Sequence, residues 1–201
     1  MLEFLKQCKG VILVGAASGH ERTTFGAYNL NAIFIEARPN VISGRILRNK
    51  KFKRYDALVT DADGQEYGFK ISSNNGQSSS IFEFADHKKI WSKVKTLETI
   101  KLTSTTLNTL LKDDNLELYD AMIIDTQGSE LMVLKGASNI LPKMKYIMVE
   151  AADFEAYRGC CQVKDIEEFM DANEFSRYTY QLQVKKEGVG SYYDIIYTRA
   201  I

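Results

Sequence analysis

The sequence predicts a single α/β domain over residues 1–201, with a mostly parallel sheet covered by helices on both faces and closed by an antiparallel edge. Three observations lead there. Short apolar runs recur along the chain ("KGVILV", "AIFI", "AMII", "KYIMV") without the polar alternation of a one-sided sheet. Segments of helical spacing separate them. The last two strand-like runs are joined by the short connection "KKEGVGS", which suits antiparallel neighbours.

The elements follow in order. Residues 9–14 read as the first strand, ending in the loop "GAASGH". A helix is expected over 21–30, a strand over 32–35, and a helix over 40–49 opened by Pro39. The third strand is expected over 55–59, followed by the turn "TDADGQ". "EYGFKI" alternates like an edge or hairpin strand, and "SSNNGQSSS" is a polar loop with neither helical nor strand character. A strand over 95–103 and a short helix over 105–111, capped by Ser104 or Thr105, come next. Then "YDAMIIDTQGSELMVLKGA" places a buried strand before an acid, an amide and a glycine, with a helix over 129–141. A strand over 145–149 ends in Glu150. Val163–Ala172 is amphipathic, and strands over 177–184 and 192–198 close the chain.

Composition narrows the function classes. Lys plus Arg and Asp plus Glu stand at 26 each, so no net charge points to nucleic acid or to a membrane surface. No apolar run approaches the roughly 20 residues that span a bilayer. Cys8, Cys160 and Cys161 are an odd count with two adjacent, a poor disulfide framework that suits a reducing, cytoplasmic setting. The N-terminal segment reads as a strand rather than a signal peptide.

In open parallel sheets ligands bind beyond the carboxyl ends of the strands. The residues there are Gly15, Ala16 and Gly19 after the first run, Glu36 after the second, Asp61 after the third, Asp125 after the fourth and Glu150 after the fifth. Glu36 lies roughly 20 residues beyond Gly15, the spacing at which an acid accepts ribose hydroxyls; a tight turn and a capping acid account for the same residues equally well. The glycine spacing does not fit G-x-G-x-x-G, and there is no phosphate-binding G-x-x-x-x-G-K-[ST]. A ligand with a ribose and no pyrophosphate fits the pattern, and S-adenosylmethionine (SAM) is the common one.

Four blocks carry a resemblance. "VILVGAASG", "IFIEARPN", "DALVTDADGQEYGF" and "MIIDTQGSELMVLKGA" resemble, in this order, the motifs of FkbM-type SAM-dependent methyltransferases, a class I methyltransferase family. "TTLNTLL" and "IMVEAADFEAYRG" extend the likeness, which runs from Val11 to about Tyr197. Leu13 and Ala17 depart from it, standing where the family has an acid and an asparagine; Arg38 is inserted before Pro39, and Met122 replaces a lysine. The resemblance implies a Rossmann-like seven-stranded sheet in the order 3-2-1-4-5-7-6, SAM at the carboxyl ends of its strands, and transfer to an oxygen, commonly a hydroxyl of a sugar or other small molecule. It implies that Gly15, Ala16 and Gly19 face the amino-acid part of SAM, that Glu36 holds the ribose, that Asp61 meets the adenine amino group, and that Asp125 sits beside the sulfonium and the acceptor. The same fold used as a non-catalytic SAM or nucleotide-binding module is the alternative, motivated by Leu13 and Ala17.

An alcohol acceptor must lose its proton, and a carboxylate can take it. Asp125 is the first candidate and Glu150 the second. Together they could bind a divalent cation, but hydrogen bonding to backbone or cofactor is favoured, and no cysteine–histidine spacing suggests zinc. His20 and His87 are weighed mainly as solvated or structural. "RILRNKKFKR" holds six basic residues in ten; it reads first as a solvated face and second as attraction for an anionic acceptor such as a nucleotide-linked or phosphorylated sugar. Nucleic acid is disfavoured. The loop "SSNNGQSSS" is a candidate lid whose Ser79 and Ser80 reach the cofactor.

Overall fold

The computed structural model describes residues 2–42 and 44–199. In chain order the strands and helices are β1 (Gly10–Val14), α1 (Arg22–Ala27), β2 (Asn31–Glu36), β3 (Phe52–Asp56), β4 (Leu58–Val59), β5 (Glu66–Ser72), α2 (His87–Ile90), β6 (Thr96–Thr105), α3 (Leu107–Leu110), β7 (Ala121–Ile124), α4 (Glu130–Lys135), β8 (Tyr146–Ala152), α5 (Val163–Ala172), β9 (Phe175–Lys186) and β10 (Gly190–Arg199). Short 3-10 turns over Leu2–Gln7, Gly44–Arg48, Leu116–Leu118 and Leu141–Lys143 link them.

Seven strands form the main sheet in the order β3-β2-β1-β7-β8-β10-β9. Ranked by position in the chain within this sheet, that is the expected 3-2-1-4-5-7-6. Neighbours from β3 to β8 run parallel, while β10 is antiparallel to both β8 and β9. The antiparallel strand is therefore inside the sheet, and the edge strand β9 again runs with the majority. A second sheet, β4-β6-β5, was not legible in the sequence.

Both faces of the central strands β1, β2, β7 and β8 are largely buried, which is why these strands lack polar alternation, whereas the edge strand β9 is mostly exposed. Ile12, Val14, Ile33, Ile35, Met122, Ile124, Ile147 and Val149 pack on one side with residues of α3, α4 and α5. Val11, Leu13, Phe34 and Ile123 pack on the other with Phe25 of α1 and with Phe4, Leu5 and Ile46 of the 3-10 turns. No helix among the described residues is long and apolar enough to cross a membrane.

Several expected elements are shorter or shifted. The third strand lies over Phe52–Asp56 and not over 55–59: the Ala57 N–H closes the last rung on the Glu36 carbonyl (2.9 Å), and Leu58–Val59 then leave to pair with Ser104–Thr105. The helix over 40–49 shrinks to the Gly44–Arg48 turn, with Asn40 in the left-handed region at φ 63°. Asn29, at φ 57°, follows the shortened α1. Helix α4 stops at Gly136, where a Cβ would come within 2.1 Å of the Thr60 carbonyl oxygen, so the chain turns to pass β4. The cap of α3 is Thr106, whose hydroxyl accepts from the Thr109 N–H (3.1 Å), rather than Ser104 or Thr105. Strand β8 runs two residues past Glu150, because β10 pairs with it as far as Tyr192–Ala152.

Candidate active site

The carboxyl ends of β1, β2, β7 and β8 surround a cavity of about 570 Å³. Gly15 and Ala16 begin its floor. Both donate to the Ile35 carbonyl (2.9 Å each), which turns the chain away from the sheet. Gly15 adopts φ 86°, and a Cβ there would lie 1.8 Å from the Asp125 carbonyl oxygen. Only glycine lets the turn after β1 touch the turn after β7. Gly19, also left-handed at φ 69°, is backed by Ile46 and Phe34 and does not line the cavity.

Glu36 ends β2 and is buried. One carboxylate oxygen accepts from the Ala17 N–H (2.8 Å), and the other accepts from the backbone N–H (3.0 Å) and Nε (3.3 Å) of Arg38. Arg38 reaches onward and donates to the Asn75 carbonyl (3.1 Å). The carboxylate thus ties the first loop to the polar loop that covers the cavity. Asp61 is not brought to this place. It is exposed in the turn after β4 and does not line the cavity, whose wall there is Ala57, Leu58 and Val59.

The turn after β7 holds the densest polar network. Gln127, left-handed at φ 56°, donates from its amide nitrogen to Asp125 (2.7 Å) and to Glu150 (2.8 Å), while its amide oxygen accepts from the Tyr157 hydroxyl (2.7 Å). An ionised carboxylate accepts only, so the two carboxyls select the NH2 end of the amide, and the Tyr157 hydroxyl donates to the oxygen left at the other end. A non-glycine residue in this backbone region stores strain of about 1–3 kcal/mol, a feature that concentrates at functional sites. The Ser80 hydroxyl donates to the Gln127 carbonyl (2.7 Å). Glu130 folds back from the first turn of α4 and accepts from the N–H groups of Thr126 (2.8 Å) and Gly128 (3.0 Å). Its carboxyl is therefore a clamp on the turn.

Asp125 and Glu150 act as one titrating pair. The charge of Asp125, followed by burial, pushes Glu150 well above the usual carboxylate range. Burial raises Asp125 too, against the lowering effect of its bonds to Glu150 and Gln127. The pair therefore holds a proton to higher pH than an isolated carboxyl would. Among the described residues no group of three or more histidines, cysteines or acids is arranged to hold a metal ion.

The far wall comes mostly from outside the main sheet. Asn74, Asn75, Gly76, Gln77, Ser78 and Ser79 line the cavity with His87 and Trp91, and they are joined there by Tyr192 from β10 of the main sheet. Ser79 is on the lining and Ser80 lies behind it, bonded to Gln127. His87 is buried, with Nε2 3.0 Å from the Ser78 hydroxyl and its ring against Phe84, Trp91 and Tyr157. Burial lowers its pKa to about 4, so it is neutral. His20 is exposed and lies 3.1 Å from Glu21. None of the basic run 45–54 lines the cavity: Lys53 pairs with Asp114, Lys51 with Asn29, and Arg54 donates to the Ile42 carbonyl.

Sequence reasoning passed over Glu21, Tyr192 and the clamping role of Glu130. Glu21 precedes α1, lines the cavity, and has one buried carboxylate oxygen without a hydrogen-bond partner among the described residues. Burial raises its pKa, and the charge of Asp125 raises it further. With Glu36, Asp125 and Glu150, four acids line the cavity against one arginine, already engaged by Glu36. Such a cavity suits a ligand that brings positive charge. It does not suit a pyrophosphate, because the N–H groups of Gly15, Ala16 and Ala17 are spent on Ile35 and Glu36.

The model of the methyltransferase FkbM domain family matches residues 14–182. The chain belongs to this family. Solved structures show the same fold at low identity. The N-methyltransferase NodS from Bradyrhizobium japonicum is 7% identical, with a TM-score of 0.51 over 96% of this chain and 87% of its own. The magnesium protoporphyrin IX methyltransferase ChlM from Synechocystis, with bound S-adenosylhomocysteine (SAH), is 7% identical, with a TM-score of 0.51 over 94% of this chain and 73% of its own. No curated protein matches the sequence of this FkbM-domain chain significantly.

Proposed function

We propose that the chain acts as one SAM-dependent O-methyltransferase domain, with a small-molecule or sugar-containing alcohol as acceptor. Membership of the methyltransferase family sets the reaction type. The observation that carries the residue assignment is the Asp125–Gln127–Glu150 network, set at the carboxyl ends of β7 and β8 against the Gly15 turn. The cavity's excess of carboxylates and the unpartnered oxygen of Glu21 fit a cofactor that carries a sulfonium and an ammonium. Bound SAM supplies an electrophilic methyl group, which passes to the acceptor oxygen as the sulfur–carbon bond breaks and its electron pair returns to sulfur.

The chain's residues do the rest. Gly15 and Ala16 bring backbone close to the cofactor, and Glu36 offers its remaining lone pairs to the ribose. Ala57 and Leu58 line the cavity and would flank the adenine, the role assigned from sequence to Asp61. Gln127 holds the two carboxyls at fixed separation from the reacting oxygen, so that alignment supplies much of the rate. The ionised member of the pair takes the acceptor's proton, and the pair passes from one proton to two. The three free cysteines accord with a reducing cytoplasmic location.

Calorimetric titration with SAM and SAH tests the cofactor, and mass spectrometry of reactions with hydroxylated acceptors tests transfer. Asp125→Asn is expected to retain SAH binding and lose transfer. Absence of binding to both compounds removes the proposal. Binding without transfer across a broad acceptor panel favours the non-catalytic module, the reading suggested by Leu13, which packs in the core where the family has an acid.

A further inference from the structure

We infer that the end of the cavity walled by His87, Trp91 and Tyr192 is the acceptor subsite, and that it takes an uncharged, ring-bearing alcohol and excludes phosphorylated or nucleotide-linked acceptors. The inference rests on the cofactor reading above, which assigns the Gly15–Glu36 end to SAM and leaves this end for the acceptor.

Anions are held by backbone N–H groups or by cations, and many of those around this cavity are already engaged. At the turn after β7, the N–H groups of Thr126 and Gly128 donate to the Glu130 carboxyl and are therefore engaged. In the covering loop, Gly76 donates to Ser72, Gln77 to Asn74, Ser78 to the Ser72 hydroxyl and Ser79 to Gly76. The Arg38 guanidinium is divided between Glu36 and Asn75. Lys51, Lys53 and Arg54 of the basic run are engaged elsewhere and lie off the cavity.

Charge balance points the same way. The Glu36 charge is met by Arg38. What remains is the Asp125–Glu150 pair together with Glu21, all acids on the lining, and SAM would bring one net positive charge. The site is then near neutral or slightly negative, and an acceptor phosphate beside Asp125 would meet like charge, which costs several kcal/mol at an interface.

The wall itself offers flat apolar faces and neutral polar atoms. The His87 and Trp91 rings lie 4.7 Å apart, and the Trp91 and Tyr192 rings 5.1 Å. Trp91 is 38% exposed at the rim, whereas His87 and Tyr192 are 1% and 6% exposed. His87 Nδ1 and the Tyr192 hydroxyl are both buried without a partner among the described residues. Unpaired buried polar atoms are uncommon and call for an occupant. Asn74, Gln77 and Ser78 add only uncharged donors and acceptors to the lining. Aromatic faces with neutral hydrogen-bonding groups recognise a ring bearing hydroxyls.

Trp91 is the sole tryptophan, so its fluorescence reports this subsite. The SAH-loaded protein is titrated with matched compounds: a neutral hexoside against its phosphate monoester and its nucleoside-diphosphate form, and a phenol against its phosphate ester. The expected result is a saturable change with at least one uncharged ring, and binding at least about thirtyfold weaker for its charged counterpart. Inorganic phosphate and pyrophosphate should not compete. Equal or tighter binding of a charged member, saturable competition by inorganic phosphate, or no response to any uncharged ring overturns the inference. Trp91→Ala, read by calorimetry, should weaken the bound ring about tenfold and leave SAH affinity unchanged; an equal loss in both overturns the placement. If SAH itself does not bind, the cofactor reading fails separately, and titrating inorganic phosphate onto the free protein still tests the charge argument.

Discussion

Replacing Glu130 by alanine should unfold the turn that carries Asp125 and Gln127, and the size of the effect follows from the bonds lost. Glu130 is 2% exposed, and its carboxyl is the acceptor for the N–H groups of Thr126 and Gly128. Alanine leaves two part-buried donors without their partner, each costing up to about 1–3 kcal/mol. Against this, removal of a buried carboxyl relieves its own desolvation, which raises the pKa of Glu130. The net loss is expected at about 2–4 kcal/mol, a large share of the roughly 5–15 kcal/mol that stabilises a domain. Glu130→Gln keeps a carbonyl acceptor and should lose only about 1 kcal/mol. Urea unfolding with an unchanged slope measures both. An alanine variant within about 1 kcal/mol of the parent, or glutamine as damaging as alanine, would refute the clamp.

Other outcomes follow from the same geometry. Gly15→Ala forces a Cβ to 1.8 Å from the Asp125 carbonyl oxygen at φ 86°, so it should lose at least about 2 kcal/mol in thermal or chemical unfolding and abolish SAH binding. Gly76→Ala meets the Arg38 guanidinium at 1.8 Å; because that group can swing away, the expected cost is only about 1–2 kcal/mol of backbone strain, with faster proteolysis of the covering loop as the readout. Glu21→Gln should weaken SAM and SAH about tenfold while leaving methylthioadenosine, which lacks the ammonium, unchanged in calorimetry. Burial, followed by the charge of Asp125, raises the pKa of Asp194 from 3.8 to about 6. A raised carboxyl favours the folded state below its unfolded value, and that contribution is lost as pH climbs through about 6. Asp194→Asn should therefore gain about 1 kcal/mol at pH 7, discounted for partial exposure, and nothing near pH 4, as pH-dependent denaturation would show.

The parallel core was readable because strands buried on both faces must be continuously apolar, and "VILV", "AIFI" and "AMII" are. Gly15, Glu36, Asp125 and Glu150 were found because chain order places them at strand ends. What escaped depended on contacts distant in sequence. Leu58–Val59 look like the end of a third strand, yet they pair with residues more than forty positions later, so Asp61 was assigned to a strand end it does not occupy. Glu21 reads as an ordinary first-turn acid until the cavity reveals its unpartnered oxygen. Glu130 reads as a helix-dipole residue, whereas its side chain turns backward onto the preceding loop. Tyr192 lies in a strand, and only the register of β10 on β8 brings it to the cavity.

The second sheet has an evolutionary consequence. Strands β4, β5 and β6 bond to one another and not to the seven-stranded sheet, and the cavity-lining loop 73–80, with His87 and Trp91, is threaded between β5 and β6. Most of one wall of the cavity is thus carried by a segment outside the main sheet. Changes confined to that segment would reshape the wall, and so alter which compound is modified, provided they keep the bonds from Ser80 to Gln127 and from Arg38 to Asn75 that tie it to the turns beside the cavity.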